Sequence, residues 1–479
     1  MLIKERFSKY LLPLVLAGLC LGMSAQPDPE LPTLDELESL SMQEWKNQIR
    51  REKFDIILPE VMRKNKVDMW IHVMRHTIQD DFGAEEFGST SGVFVFTDRG
   101  EERIERAVLG RRWGASQRGW REEEYKLVEE CGVYDIVDEA VRVVEPVGGP
   151  MTEYDYRFKG LREFVEARDP QVIAVNFMLD KGPWPTYVGA EDGLSHTDFV
   201  LLSEELGEKY AGRIISSEHV MIDYIIRKVP SEIELIKKTR RDEVEHVREI
   251  FNSIVPGQTP IRGSGIDVFR RGKTGVSQRG RSEGFGSDRI ERGDIVAATY
   301  QGMFAYVLRD GETEPPEEIQ KLWAEYLKID KILAGSIKVG LTPREIIKDY
   351  QRKFEQAGII VRDKQMHMFQ PKNNFPVYTE GFDPGKTHLS IDCHGIKGRK
   401  EDKSENYMPR IGSYGPDWSK DIPLPPNHHF VLEYFFYMPW PSTQYEDQYL
   451  FWWDHEQALA NEKGVEYLSL PQTELYLIK

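Results

Sequence analysis

A proline-led segment near the middle of the chain, Val229-Pro230-Ser231-Glu232-Ile233-Glu234, constrains the fold on both sides of it. Proline cannot continue a helix that arrives from upstream, but it is favoured in a helix's first turn. Ser231 with Glu234 three residues on has the spacing of a capping box. A long helix is therefore expected to open here, with Ile236, Val247, Ile250 and Ile254 among its apolar positions and Pro256-Gly257 as its stop. A chain of 479 residues is too long for one core. The break assigns residues 43–229 to one domain and 230–479 to a second.

Ahead of both lies an export signal. Lys4, Arg6 and Lys9 precede the apolar run Leu11–Leu21, and Met23-Ser24-Ala25 offers small residues for cleavage, giving a signal peptide over 1–25. The run is too short to span a bilayer comfortably, and no other segment is apolar for long enough. Leu19 before Cys20 is bulkier than lipoprotein processing accepts, which disfavours a lipid anchor there. The acidic, Pro-rich residues 26–42 are expected to act as a spacer, and the mature protein to be periplasmic or extracellular. Cys131 and Cys393 are then too few for a disulfide framework. A net charge of −17 argues against general nucleic-acid binding, which needs a basic face. The arginines between Arg270 and Arg292 sit among glycines and read as a solvated loop.

The first domain alternates helical and strand patterns. Ile49, Phe54, Ile57, Leu58 and Val61 mark an amphipathic helix over Trp45–Lys64, and Asp68–Met74, Gly92–Thr97 and Val172–Met178 read as buried strands. This is the pattern of a mixed α/β domain. In the second, Thr342-Pro343-Arg344-Glu345 opens another helix. Asp294–Tyr300, Phe304–Leu308, Phe430–Met438, Tyr449–Trp453 and Val465–Leu468 read as strands.

Pro230–Glu234, Val255-Pro256-Gly257, Arg292-Gly293-Asp294-Ile295-Val296, Gly340-Leu341-Thr342 and Pro425–Glu433 follow one another in an order that resembles the pita-bread metallopeptidases: Xaa-Pro aminopeptidases, prolidases and creatinase. Arg50-Arg51-Glu52-Lys53-Phe54 through Met69-Trp70-Ile71, and Asp192-Gly193-Leu194-Ser195-His196, are similar to the creatinase-type N-terminal domain. The resemblance runs over roughly residues 43–479. It implies an α/β (α+β) protein with a creatinase-like N-terminal domain and a C-terminal pita-bread domain, and a homodimer through the former.

It also implies two divalent metals held by Asp, Asp, His, Glu and Glu, whose paired carboxylates lower the pKa of a shared water. The first aspartate position falls on Thr299, and Gly302–Arg309, where the second belongs, contains no acid. Asp310 nearby reads as part of a turn. Cys393-His394-Gly395-Ile396-Lys397-Gly398 resembles the histidine-ligand region. In an alternative registration that ligand falls on Thr387, with His388 one residue out of place. Glu433 fits the fourth ligand position, and the last falls on His455, with Glu456 beside it.

Imidazole replaces carboxylate readily around Zn or Fe, so His394, Glu433 and His455 are candidates for a mononuclear centre holding one divalent metal (Zn, Mn or Fe), or none. His455 and Glu456, adjacent on a strand, cannot both face it. His394 also has a plain reading as a hydrogen-bonded core or loop histidine. Three functions are open: a non-catalytic relative that binds a small peptide, a metabolite or a protein partner, a metallopeptidase cleaving X-Pro peptides, and a metal-independent hydrolase with His394 as general base and Glu433 fixing its ring. The missing aspartates weigh toward the first. His428 and His429, at a strand start, are expected to face solvent or bond locally, and of Trp452-Trp453 only one can face the centre.

Overall fold

The computed structural model describes residues 31–74, 80–89, 91–101, 103–110, 112–116, 119–120, 128–138, 141–143, 158–179, 194–270, 276–277, 287–362, 383, 385–396, 406–412, 417–439, 449–469 and 471–479. The expected signal peptide and Cys20 lie outside the described residues.

The amphipathic pattern of the N-terminal domain forms two helices, Met42–Glu52 and Leu58–Lys64, joined through a π turn over Lys53–Ile57. The apolar spacing foreshadows the turn. Ile49 to Phe54 is five residues, one too many for an α-helical stripe, and the wider turn restores Phe54 to the buried face. Part of the expected spacer is also built into the domain. Leu34–Ser39 is a helix with a full capping box from Thr33 and Glu36, and its Leu37 is buried in the N-terminal core. One apolar residue per turn was enough to dock what composition alone marked as linker.

Among the described residues the N-terminal sheet runs Ile136–Val137, Glu105–Leu109, Gly92–Thr97, Met69–Met74, Ile173–Val175, Ile214–Ser216 in spatial order. Val, Ile, Phe and Trp side chains on both of its faces are buried, with Trp70, Phe94 and Phe96 under the helices on one side and Ile71, Val93 and Val95 against His196–Ala211 on the other. No described helix is long and apolar enough to cross a membrane.

The helix expected to open at Pro230 spans Pro230–Ser253, with Pro230 in its first turn. Its cap differs from expectation. Val229 is the cap residue, and Ser231 turns instead to Glu52, which accepts from its backbone N–H at 3.0 Å and from its hydroxyl. Trp45 Nε1 donates to the Ser231 carbonyl at 2.8 Å, and Leu235 belongs to the N-terminal core. A long-range carboxylate thus replaces the local one. Further along, Val247 and Phe251 pack on a five-stranded sheet that includes Asp267–Phe269, Ile295–Ala298 and Met303–Val307.

The second C-terminal sheet positions the candidate centre. Its long strands are His388–Ile396, His428–Pro439 and Tyr449–Asn461, adjacent and antiparallel in that order, with Ile360–Val361 and Asn406–Gly412 sharing the other edge of the first. Glu317–Ala334 and Pro343–Gln356, the latter opened by the expected Thr342 capping box, cover one face. Leu389, Ile391, Cys393, Leu432, Tyr434 and Phe436 point to that face. Strand alternation sends their neighbours, including Asp392, His394, Glu433 and His455, to the other.

Candidate metal centre

Three adjacent strands bring His394, Glu433 and His455 together. Glu433 and His455 are direct cross-strand partners, and His394 pairs with Val431 on the opposite edge of the Glu433 strand. One ligand atom from each of the three lies within 4.8 Å of the others. His394 Nε2 is 3.3 Å from Glu433 Oε2, and the His394 and His455 rings are 5.6 Å apart. Both histidines are buried, and Glu433 is nearly so.

Hydrogen bonding fixes what each group offers. His394 Nδ1 is 3.1 Å from the Gly395 carbonyl, which can only accept, so Nδ1 carries the proton. Nε2 faces Glu433 Oε2 at 3.3 Å, an ion pair if the ring carries a second proton and a pair of metal ligands if it does not. Nδ1 of His455 is buried with no partner among the described residues. Burial holds the His455 imidazole down to about 4, so it stays neutral, the form that ligates metals. Bond lengths near 2.0–2.1 Å put neighbouring ligands of a tetrahedral ion about 3.3 Å apart, which the His394–Glu433 pair already matches. The donor set fits a single divalent ion.

Among the described residues neither expected aspartate position offers a carboxylate to a second ion. Thr299 stands in the turn after Ile295–Ala298, and its hydroxyl donates to Asp267 at 2.9 Å. Asp310 is in a turn, 91% exposed and paired with Arg292 at 3.0 Å, as its sequence context predicted. The alternative registration finds no support either. Thr387 bonds Glu325, and His388 Nε2 lies 2.8 Å from the Asp383 carbonyl.

Alternation separates His455 from Glu456 as expected. Glu456 accepts from Ser469 at 2.6 Å, and Asp454, on the same face as Glu456, accepts from Tyr326 at 2.8 Å. Burial pushes Asp454 up to about 7 and Glu456 well above its ordinary range.

Sequence reasoning missed two features. Asp392, on the face of His394, is bound by Arg410 through two hydrogen bonds in a fully buried ion pair. Gly412 permits the approach, since a Cβ there would sit 2.6 Å from the Ile391 carbonyl. The strand pairing slips between Cys393 and Gly395, opposite the stretch that carries Arg410. Tyr300 is the second feature, its ring 5.0 Å from that of His455. His428 and His429 are also corrected. Both are buried, bonded to the Ile226 carbonyl and to Gln457 rather than to solvent, because the strand start packs beneath the domain break. The described arginines of the 270–292 stretch are likewise tied down, Arg270 by two 2.7 Å bonds to Asp294.

No family model matches the chain, and no curated protein is similar to it in sequence. Solved structures share its fold. The X-Pro aminopeptidase from Thermotoga maritima MSB8 superposes with a TM-score of 0.50 at 16% identity, covering 88% of this chain and all of its own. An Xaa-Pro dipeptidase from Bacillus anthracis gives 0.47 at 15%, over 91% and 99%, and the prolidase from Pyrococcus horikoshii OT3 gives 0.44 at 17%, over 89% and 99%. The first of these defines the fold: a mixed α/β protein of pita-bread architecture over most of the chain. At such identities the likeness extends to fold and not to activity.

Proposed function

We propose that this chain is an exported, Xaa-Pro aminopeptidase-like pita-bread protein that holds one divalent cation on His394, Glu433 and His455 and binds a ligand there without cleaving X-Pro peptides. The single observation that carries this is the convergence of His394, Glu433 and His455, whose ligand atoms all lie within 4.8 Å of one another. A bound divalent ion supplies Lewis acidity toward a ligand oxygen. The chain's own residues do the rest. The Gly395 carbonyl fixes the His394 ring, and burial keeps His455 neutral. The metal-independent hydrolase is the weaker reading, because both His394 nitrogens are engaged, by Gly395 and by Glu433, leaving none for a substrate proton.

Cobalt substitution tests the proposal. Titrating the metal-stripped protein with Co(II) is expected to raise one set of d–d bands that saturates at one equivalent. In Glu433→Gln affinity should drop by about a hundredfold, as loss of a charged ligand implies. Saturation at two equivalents, with Gly-Pro-type peptides cleaved, would return the protein to the paired-metal peptidases.

A further inference from the structure

Asp392 stands level with the cation cluster but outside it. Ile391 is opposite Tyr434 and His394 is opposite Val431, so register sets Asp392 opposite Glu433 on the face they share. Glu433 is in turn opposite His455. Directly opposed residues of antiparallel strands have Cβ atoms about 5 Å apart, which gives Asp392 the reach of a fourth ligand. Glu433 and His394 are both close enough to act on it electrostatically. Yet among the described residues the ligand atoms within 4.8 Å of one another come from His394, Glu433 and His455, and not from Asp392.

Arg410 accounts for the exclusion. Its Nε donates to Asp392 Oδ1 at 2.6 Å and its Nη2 to Oδ2, so both carboxylate oxygens are turned to the guanidinium. Cys393 pairs with Ile411, but Gly395 pairs with Tyr407, so the strand of Arg410 carries two extra residues and Arg410 lies within the slip. The two side chains are 5% and 1% exposed, and a forked, charge-assisted pair shielded from water is held firmly. Withholding this carboxylate changes which ion the cluster suits. Two imidazoles and one carboxylate suit zinc, whereas further carboxylate oxygen shifts preference toward manganese.

We propose that Arg410 is a positioning residue that holds Asp392 off the cation, keeping a centre of three protein ligands selective for zinc over manganese. This rests on the single-cation reading above and names the ion. The ion pair adds no net charge beside the cluster, while a freed Asp392 would add both a negative charge and a ligand oxygen.

Competition titrations of the metal-stripped full chain with zinc and manganese, together with cobalt absorption spectra, test the proposal. Arg410→Met frees Asp392 to ligate, so the preference for zinc over manganese should narrow about tenfold. The cobalt bands should weaken as the coordination number rises. Adding Asp392→Asn to Arg410→Met removes the freed carboxylate and should restore both the original preference and the original spectrum. A merely structural ion pair would move stability and leave the preference where it was. The double variant strands no buried charge, so it decides the question even where Arg410→Met does not fold. A cobalt spectrum like that of the unaltered chain supports the withheld carboxylate. Lost or altered bands would show Asp392 to be a ligand already and overturn it. An unchanged preference in folded Arg410→Met overturns the proposal alone and leaves the cation site standing. Failure of the unaltered chain to bind zinc, manganese or cobalt overturns the single-cation reading together with it.

Discussion

His394 sits between two acceptors: the Gly395 carbonyl accepts the hydrogen bond from Nδ1–H, and Nε2 faces Glu433 Oε2 at 3.3 Å. Other buried titratable groups carry consequences for pH. Burial, reinforced by Lys228, pulls His428 down to about 4 and His429 to about 3. The unfolded chain protonates them near the ordinary value of 6.5, while the folded chain does not. Stability is therefore level above that value and falls as pH drops toward 4, by on the order of 2–4 kcal/mol per histidine. Asp454 has the opposite sign. Burial raises it from 3.8 to about 7 against hydrogen bonds from Tyr326 and the His455 N–H, so the folded chain keeps a proton that the unfolded chain releases. Its contribution is present at acid pH and is lost as pH rises through about 7. Urea unfolding midpoints across this range should show His429→Gln flattening the acid limb and Asp454→Asn the neutral limb. Unchanged slopes in both variants would contradict the assignment.

At the scale of elements, Lys53 opens the π turn and is fully buried, 2.9 Å from Glu86 and 4.0 Å from Glu232 at the start of the Pro230–Ser253 helix. Lys228 completes the group at 3.2 Å from Glu232. Removing one charge from such a buried set strands the others, so Lys53→Met should destabilise by about 3–5 kcal/mol, with Glu86→Gln restoring part of the loss in the double variant. Thermal unfolding of the three variants checks this, and equal melting temperatures would refute it. The strands were legible in sequence because aromatic and β-branched runs bounded by turns have few other solutions. The opposite facing of His455 and Glu456 followed from alternation alone. That His394, Glu433 and His455 converge was reached through the family resemblance, since register across three strands leaves no local mark. Local signals misled where a distant partner intervened. Ser231 meets Glu52 from 179 positions away instead of capping its own helix, and His428 reaches Ile226 across 202. Lys53 and Arg410 gave no warning of burial, because a charged residue within a helix or strand ordinarily signals solvent.

Across the whole molecule, the two halves of the chain are joined at the foot of the Pro230–Ser253 helix by Trp45, Glu52 and the Lys53 group, and the sheet that carries the cluster starts beside that junction at His428 and His429. The architecture is that of the pita-bread peptidases, with Thr299 at the position where the resemblance calls for the first aspartate and two imidazoles and a carboxylate gathered where a single ion fits. The most direct measurement is elemental analysis of the purified full chain after equilibration with zinc and manganese, alongside a His394→Ala, His455→Ala double variant. One metal per chain, lost in the double variant, is the predicted result. Two per chain, none, or one retained by the double variant would contradict a single cation held by His394, Glu433 and His455.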